Sequence, residues 1–92
     1  MQTKRKGNRQ EYRTMKLLEA AGYRCTRSAA SLGDWDVIGV GSTDIVLVQV
    51  KSNRPPSPAE RETLKLFPVP VNARKLIHIW RDRARLPEVV EL

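Results

Sequence analysis

The stretch "DIVLVQVKSNRPPSPAE", residues 44–60, decides the fold. Side chains alternate between the two faces of an extended chain, so Ile45, Leu47, Gln49 and Lys51 share one face and Val46, Val48 and Val50 the other. Both faces are apolar over most of the run, which marks a central strand covered on both sides. Gln49 and Lys51 break that pattern together, at the C-terminal end of one face. A polar, proline-rich loop follows. Ser57, Pro58 and Glu60 then supply an N-cap, a first-turn proline and a capping-box acid for a helix predicted over 58–67, which Pro68 and Pro70 end.

"KLIHIW", 75–80, is a second strand of the same two-sided kind, so the intervening helix is a crossover and the two strands are expected to run parallel. Upstream, "WDVIGV" reads as a strand, "GSTD" as a tight turn and "YRCTRS" as a weaker strand that leads into the small-residue loop "SAASLGD". Before these, Asn8 is a candidate N-cap with Glu11 three residues on. Met15 and Leu18 repeat at helical spacing and Gly22 supplies a stop, predicting a first helix over about 9–21. Residues 1–8, with Lys4, Arg5 and Lys6, are expected to be a mobile basic arm. After the last central strand, "RDRARLP" is a charged connection and "EVVEL" a short edge strand. The order α-β-β-β-α-β-β implies an α/β or α+β layer, a small mixed central sheet flanked by helices. At 92 residues the chain is read as a single domain.

Seventeen Lys and Arg against ten Asp and Glu leave a net charge of +7, a field suited to polyanions. Nucleic acid is the first partner to test, against the alternatives that the charge only confers solubility or binds RNA without chemistry. Two Trp, two Tyr and one Phe are too few for a base-stacking platform, so contacts to phosphates are expected over contacts to bases. No apolar run approaches the ~20 residues that span a bilayer. No apolar segment follows "MQTKRKGNRQ", so no secretory signal is expected. Cys25 is the sole cysteine and His78 the sole histidine, which excludes an internal disulfide and a zinc set of Cys and His. Both are read as core or strand residues, and a reducing cytoplasm is the expected compartment.

Three places carry candidate chemistry. Glu11 falls in the apolar stripe of the first helix, with Met15 and Leu18 as its i+4 and i+7 neighbours, although an acid near a helix start is also favoured by capping and by the dipole. Asp36 lies between Trp35 and Val37 at the mouth of a strand, where a charge is costly unless it is paired or binds a cation; the alternative is a turn acid, with Asp34 a competitor for any role. Gln49 and Lys51 point the same way, and an ammonium beside an oxygen ligand suits a phosphate or a water near a metal. The bland alternative there is a solvated strand end.

An acid early in helix 1, then "WDVIGV", then "VLVQVKS" resembles the PD-(D/E)XK nuclease superfamily, with its restriction endonuclease-like core. Within it, "KGNRQEYRTMKLLEAAGYRCTRSAAS" resembles the opening of the archaeal-type Holliday junction resolvases. The resemblance spans residues 5 to 80. It implies that Glu11 is the helix acid, Asp36 the metal-binding aspartate, Lys51 the motif lysine, and that the Val50 carbonyl also binds metal. Ser31, or Ser28, would match the loop serine and Arg27 the arginine leading into that loop. Gln49 departs from the pattern, which has an acid two residues before the lysine. An amide oxygen still suits Mg²⁺, with one negative charge fewer.

The implied protein is a metal-dependent, structure-selective endonuclease, phage or prokaryotic, using Mg²⁺ with Mn²⁺ as a substitute. It would cut branched DNA, a four-way junction, as a C2 homodimer. Lys4, Arg5, Lys6, Arg9, Arg13, Arg27 and Arg54 would neutralise phosphates, and the apolar residues of "LFPVPV" and "EVVEL" would be available for a partner subunit. Another nuclease of the superfamily (a nickase, flap or restriction-type enzyme) and a catalytically silent branched-DNA-binding protein are the alternatives.

Overall fold

Residues 2–28 and 33–92 are described in the structure, a computed structural model. The N-terminal helix α1 runs Gln2–Ala20 and so begins well ahead of the expected start at 9. Asn8 lies inside the helix and does not cap it, and residues 2–8 continue the helix where a mobile arm was expected. The cause is composition. Gln, Lys and Arg are good helix formers, and the lone Gly7 opposes them by only about 1 kcal/mol relative to alanine, less than a helix already nucleated downstream can absorb. The C-terminus is the expected glycine stop. Gly22 adopts φ 98°, Tyr23 N–H donates to Leu18 O at 3.0 Å and Gly22 N–H to Glu19 O at 3.0 Å, a Schellman closure.

Five strands follow in one sheet, β1 (Arg24–Arg27), β2 (Val37–Val40), β3 (Ile45–Ser52), β4 (Ala73–Trp80) and β5 (Glu88–Glu91), with the second helix α2 (Pro58–Leu66) between β3 and β4. They lie in chain order. β1, β2 and β3 pair antiparallel, β3 and β4 pair parallel, and β5 returns antiparallel on the far edge. The expected α/β layer, with a mixed sheet and a helical crossover, is the observed one. Ser57 Oγ accepts from Glu60 N–H at 3.2 Å and Glu60 Oε1 from Ser57 N–H at 2.8 Å, so the capping box forms as read.

The two-sided strands divide the core. Leu18 of α1 packs with Val37, Val46, Val48 and Leu76 on one face of the sheet. Leu64 of α2 packs with Trp35, Leu47, Ile77 and Ile79 on the other. Each such aliphatic side chain, once buried, contributes roughly 2 kcal/mol by area alone. Phe67, Val69, Val90 and Leu92 join the second cluster, so much of the apolar character of "LFPVPV" and "EVVEL" is used within the chain. Leu66, Val71 and Val89 stay exposed.

One irregularity positions the site. Trp35 belongs to the α2-side core and Val37 to the α1-side core, although strict alternation would put both on one face. Val37 pairs with Val48 while Asp36 N–H also donates to Val48 O at 2.9 Å, so two residues oppose one. That bulge turns the chain at Asp36 and re-aims its carboxylate toward β3.

Candidate functional site

Turned by the bulge, Asp36 Oδ2 accepts the Val50 N–H at 2.8 Å. Burial is the main influence on this carboxyl and raises its pKa above the ordinary aspartate value. The Val50 N–H and the Lys51 ammonium pull it down, while the Glu11 and Asp34 carboxylates push it up. Four sequence-derived candidates, Glu11, Asp36, Val50 and Lys51, are thereby linked near the C-terminal end of β3, where Gln49 is the strand neighbour of Val50. Lys51 is half-buried and its charge is also felt by Glu60, whose pKa is lowered first by its Ser57 backbone bond and then by Lys51. The ammonium thus sits between the β2 mouth and the start of α2.

Gln49 is only 6% exposed and its Oε1 has no hydrogen-bond partner. A buried acceptor left unmade costs the fold its desolvation, about 1–3 kcal/mol, and asks for a reason. Ser28 Oγ is a second such atom, beside Asp36 through the Ser28 N–H to Asp36 O bond of 2.8 Å. Trp35 Nε1 is a third.

Glu11 faces the same region from α1, its side chain 20% exposed. Arg27 Nε holds Glu11 Oε1 at 2.8 Å, while the Arg27 guanidinium lies 5.0 Å over the Tyr12 ring and reaches Tyr12 Oη at 3.3 Å. Arg27 therefore positions the candidate acid in this state.

No family model matches the sequence, and no curated protein matches it. Among solved structures the chain is similar to Hjc, a Holliday junction resolvase from the archaeal hyperthermophile Archaeoglobus fulgidus. The TM-score is 0.73 at 22% identity, and the match covers 94% of this chain and 72% of that one. The chain has the Hjc fold.

Within this fold the candidate donors on β3, the β2 mouth and α1 are all oxygens: the carboxylates of Asp36 and Glu11 and the buried amide oxygen of Gln49. That is the ligand type a hard divalent cation takes, and the orphaned Gln49 Oε1 fits such a role. Among the described residues no three His, Cys, Asp or Glu side chains converge.

Of the basic residues expected at phosphates, Arg9 and Arg54 are exposed. Arg13 is not available. Its guanidinium donates to Gln10 Oε1 at 3.0 Å and to Ala84 O at 2.8 Å and lies 4.0 Å over the Trp80 ring, so its charge is used to tie α1 to the loop after β4. The side chains of Lys4, Arg5 and Lys6, and Ser31 entirely, lie outside the described residues.

Hydrophobic periodicity missed the polar residues at the centre of α1. The buried stripe is Gln10, Thr14 and Leu18, and Glu11 and Met15 flank it. Trp80 Nε1 donates to Thr14 Oγ1 at 2.9 Å, and Thr14 Oγ1 lies 3.0 Å from His78 Nδ1. An indole N–H can only donate, so Thr14 Oγ1 is the acceptor for Trp80, and the same hydroxyl also hydrogen-bonds the His78 ring at Nδ1. Burial lowers the His78 pKa to about 4, consistent with a neutral core residue.

Among the described residues no helix is long and apolar enough to cross a membrane.

Proposed function

We propose that the protein is a metal-dependent, structure-selective DNA endonuclease that resolves four-way junctions by phosphodiester hydrolysis. The observation that carries this reading is the buried Asp36 held by Val50 N–H under the influence of Glu11 and Lys51, with the unpartnered Gln49 Oε1 on the adjoining residue of β3, in a fold similar to that of a Holliday junction resolvase. Asp36, Gln49, the Val50 carbonyl and Glu11 would hold Mg²⁺, with Mn²⁺ a substitute. A bound Mg²⁺ supplies a water of lowered pKa and stabilises charge at phosphorus.

The chain's own residues do the rest. The Val50 N–H orients the Asp36 carboxylate and stabilises its ionised form against burial. Lys51 places a positive charge where negative charge gathers on the phosphate oxygens during attack. Arg27 holds Glu11 in place before substrate arrives. Exposed Arg9 and Arg54, with Lys4, Arg5 and Lys6, would neutralise phosphates of the junction arms. A junction of near two-fold symmetry requires two opposed cuts, which a C2 homodimer makes with one site per subunit. Exposed Leu66, Val71 and Val89 are apolar surface available for that contact.

The second reading, a junction-binding protein without hydrolysis, is favoured by one feature, Gln49 in the place of an acid. The experiment compares a labelled four-way junction with a linear duplex of matched sequence, in Mg²⁺ or EDTA, for wild type, Asp36→Asn and Gln49→Glu. Paired opposed cuts in the junction alone, only with metal, lost by on the order of a hundredfold in Asp36→Asn and retained or raised in Gln49→Glu, are expected. Tight binding with no cleavage by wild type in either Mg²⁺ or Mn²⁺ would select the silent binder. Cleavage of the linear duplex at a similar rate would select another nuclease of the superfamily.

A further inference from the structure

Ser52 and Trp80 are register partners at the ends of the parallel pair β3 and β4, so the loops that follow these strands leave the sheet at the same edge, one residue beyond Lys51. Side chains clamp the two loops together. Asn53 Oδ1 accepts the Asp82 N–H at 2.8 Å, Asn53 Nδ2 donates to Asp82 Oδ1 at 3.2 Å, and Arg81 Nη1 donates to Asn53 O. From the other side Arg13 of α1 holds Ala84 O at 2.8 Å. The segment after β4 is therefore tied both to the β3 loop and to the helix that carries Glu11.

The clamp holds up a turn of unusual composition. Ala84 N–H donates to Arg81 O at 3.1 Å, and the third residue of that turn, Arg83, has φ 67°. This is the left-handed position at which glycine is the usual occupant, and a long β-carbon-bearing side chain there is unfavourable. Arg81 is engaged by Asn53 and by Glu88 at 3.1 Å. Arg83 and Arg85 are exposed, and so is Arg54, the residue next to Asn53 in the facing loop.

We infer that Arg83 and Arg85, with Arg54 across the clamp, form a rigid phosphate-binding platform that receives the DNA backbone next to the bond cleaved at Lys51 and Asp36. The strained turn presents a guanidinium where backbone energetics alone would place glycine, and the Asn53 clamp and Arg13 tether hold it in register with the site. The charged connection "RDRARLP" is thus a substrate-binding element as well as a strand linker. This inference rests on the junction nuclease reading above.

The test measures junction binding in EDTA as a function of salt. Arg83→Gly combined with Arg85→Gln is expected to lower affinity on the order of tenfold or more near physiological salt and to reduce the log–log salt slope by roughly 2. Arg24→Gln with Lys16→Gln, two exposed basic residues outside these loops, is expected to change the slope far less. Arg83→Gly alone is expected to melt no lower than wild type while binding more weakly, a pairing that a purely structural role for Arg83 would not produce. An unchanged slope, or an equal loss in the control pair, overturns the platform and leaves the nuclease reading standing if wild type still cuts the junction. Failure of wild type itself to bind the junction overturns both.

Discussion

Two polar regions lie inside this small sheet, and they are built on opposite terms. On the α1 face, Gln10, Thr14, His78 and Trp80 are nearly or fully buried, and each has a partner: Trp80 and His78 meet at Thr14, and Gln10 accepts from Arg13. At the end of β3, Gln49 Oε1 and Ser28 Oγ are buried with no partner, and Asp36 is an acid whose burial and acidic neighbours oppose its ionisation. A satisfied polar network specifies packing. One that leaves acceptors open and crowds carboxylates is a local cost to the fold, and such costs cluster at sites that bind something. The contrast separates the two roles without appeal to any single residue.

The contrast is sharpened first by acid. His78 has its pKa lowered to about 4 by burial against an ordinary 6.5, so between those values the unfolded chain binds the extra proton and stability falls as pH falls. The loss begins near pH 6.5 and is complete below about 4; the shift corresponds to about 3 kcal/mol. Urea midpoints measured across that range should show the loss, and His78→Gln should flatten its share of the curve while leaving cleavage at neutral pH intact. A wild-type curve already flat from pH 7 to 4.5 would mean that His78 is not the buried neutral group described.

Thr14→Val is the smaller perturbation of the same network. It keeps the shape of the side chain but orphans Trp80 Nε1 and His78 Nδ1, and is expected to cost about 2 kcal/mol in urea denaturation. Junction cleavage per folded molecule should be unchanged. A drop in that rate with stability preserved would place the α1 network in the chemistry and erase the distinction between the two regions.

Much of the architecture was legible because it follows from local rules. The alternation through Ile45 to Lys51, the Ser57–Glu60 box and the Gly22 stop each act within a few residues, and together they dictate a parallel β3–β4 pair under a helical crossover. The start of α1 was not legible, since Asn8 after Gly7 mimics a cap when neighbouring Lys and Arg in fact extend the helix. Gln10 and Thr14 escape a hydrophobicity-based reading because polar side chains carry no apolar signal, however deeply they are buried. Arg13 looked like a phosphate ligand because the acceptor that claims it, Ala84 O, lies 71 residues away. For the candidate site, residue types pointed to Glu11, Asp36, Gln49 and Lys51. The bulge that turns Asp36 onto Val50 and the Arg27 hold on Glu11 depend on tertiary register and leave no local mark.

The central claim is that the end of β3 keeps charged and open polar groups at the expense of stability. Comparing the melting temperature of wild type and Asp36→Asn in EDTA across pH tests it most directly. Because the Asp36 pKa is raised in the folded protein, its ionised form destabilises the fold above that pKa. Asparagine keeps an acceptor for the Val50 N–H without the charge. Asp36→Asn should therefore melt higher than wild type at neutral pH, with the gain shrinking as pH falls and wild-type Asp36 takes up its proton. Mg²⁺ should raise the melting temperature of wild type and not of the variant. A variant that melts lower at neutral pH, with Mg²⁺ stabilising both proteins alike, would show that the Asp36 carboxylate belongs to the fold and would contradict the claim.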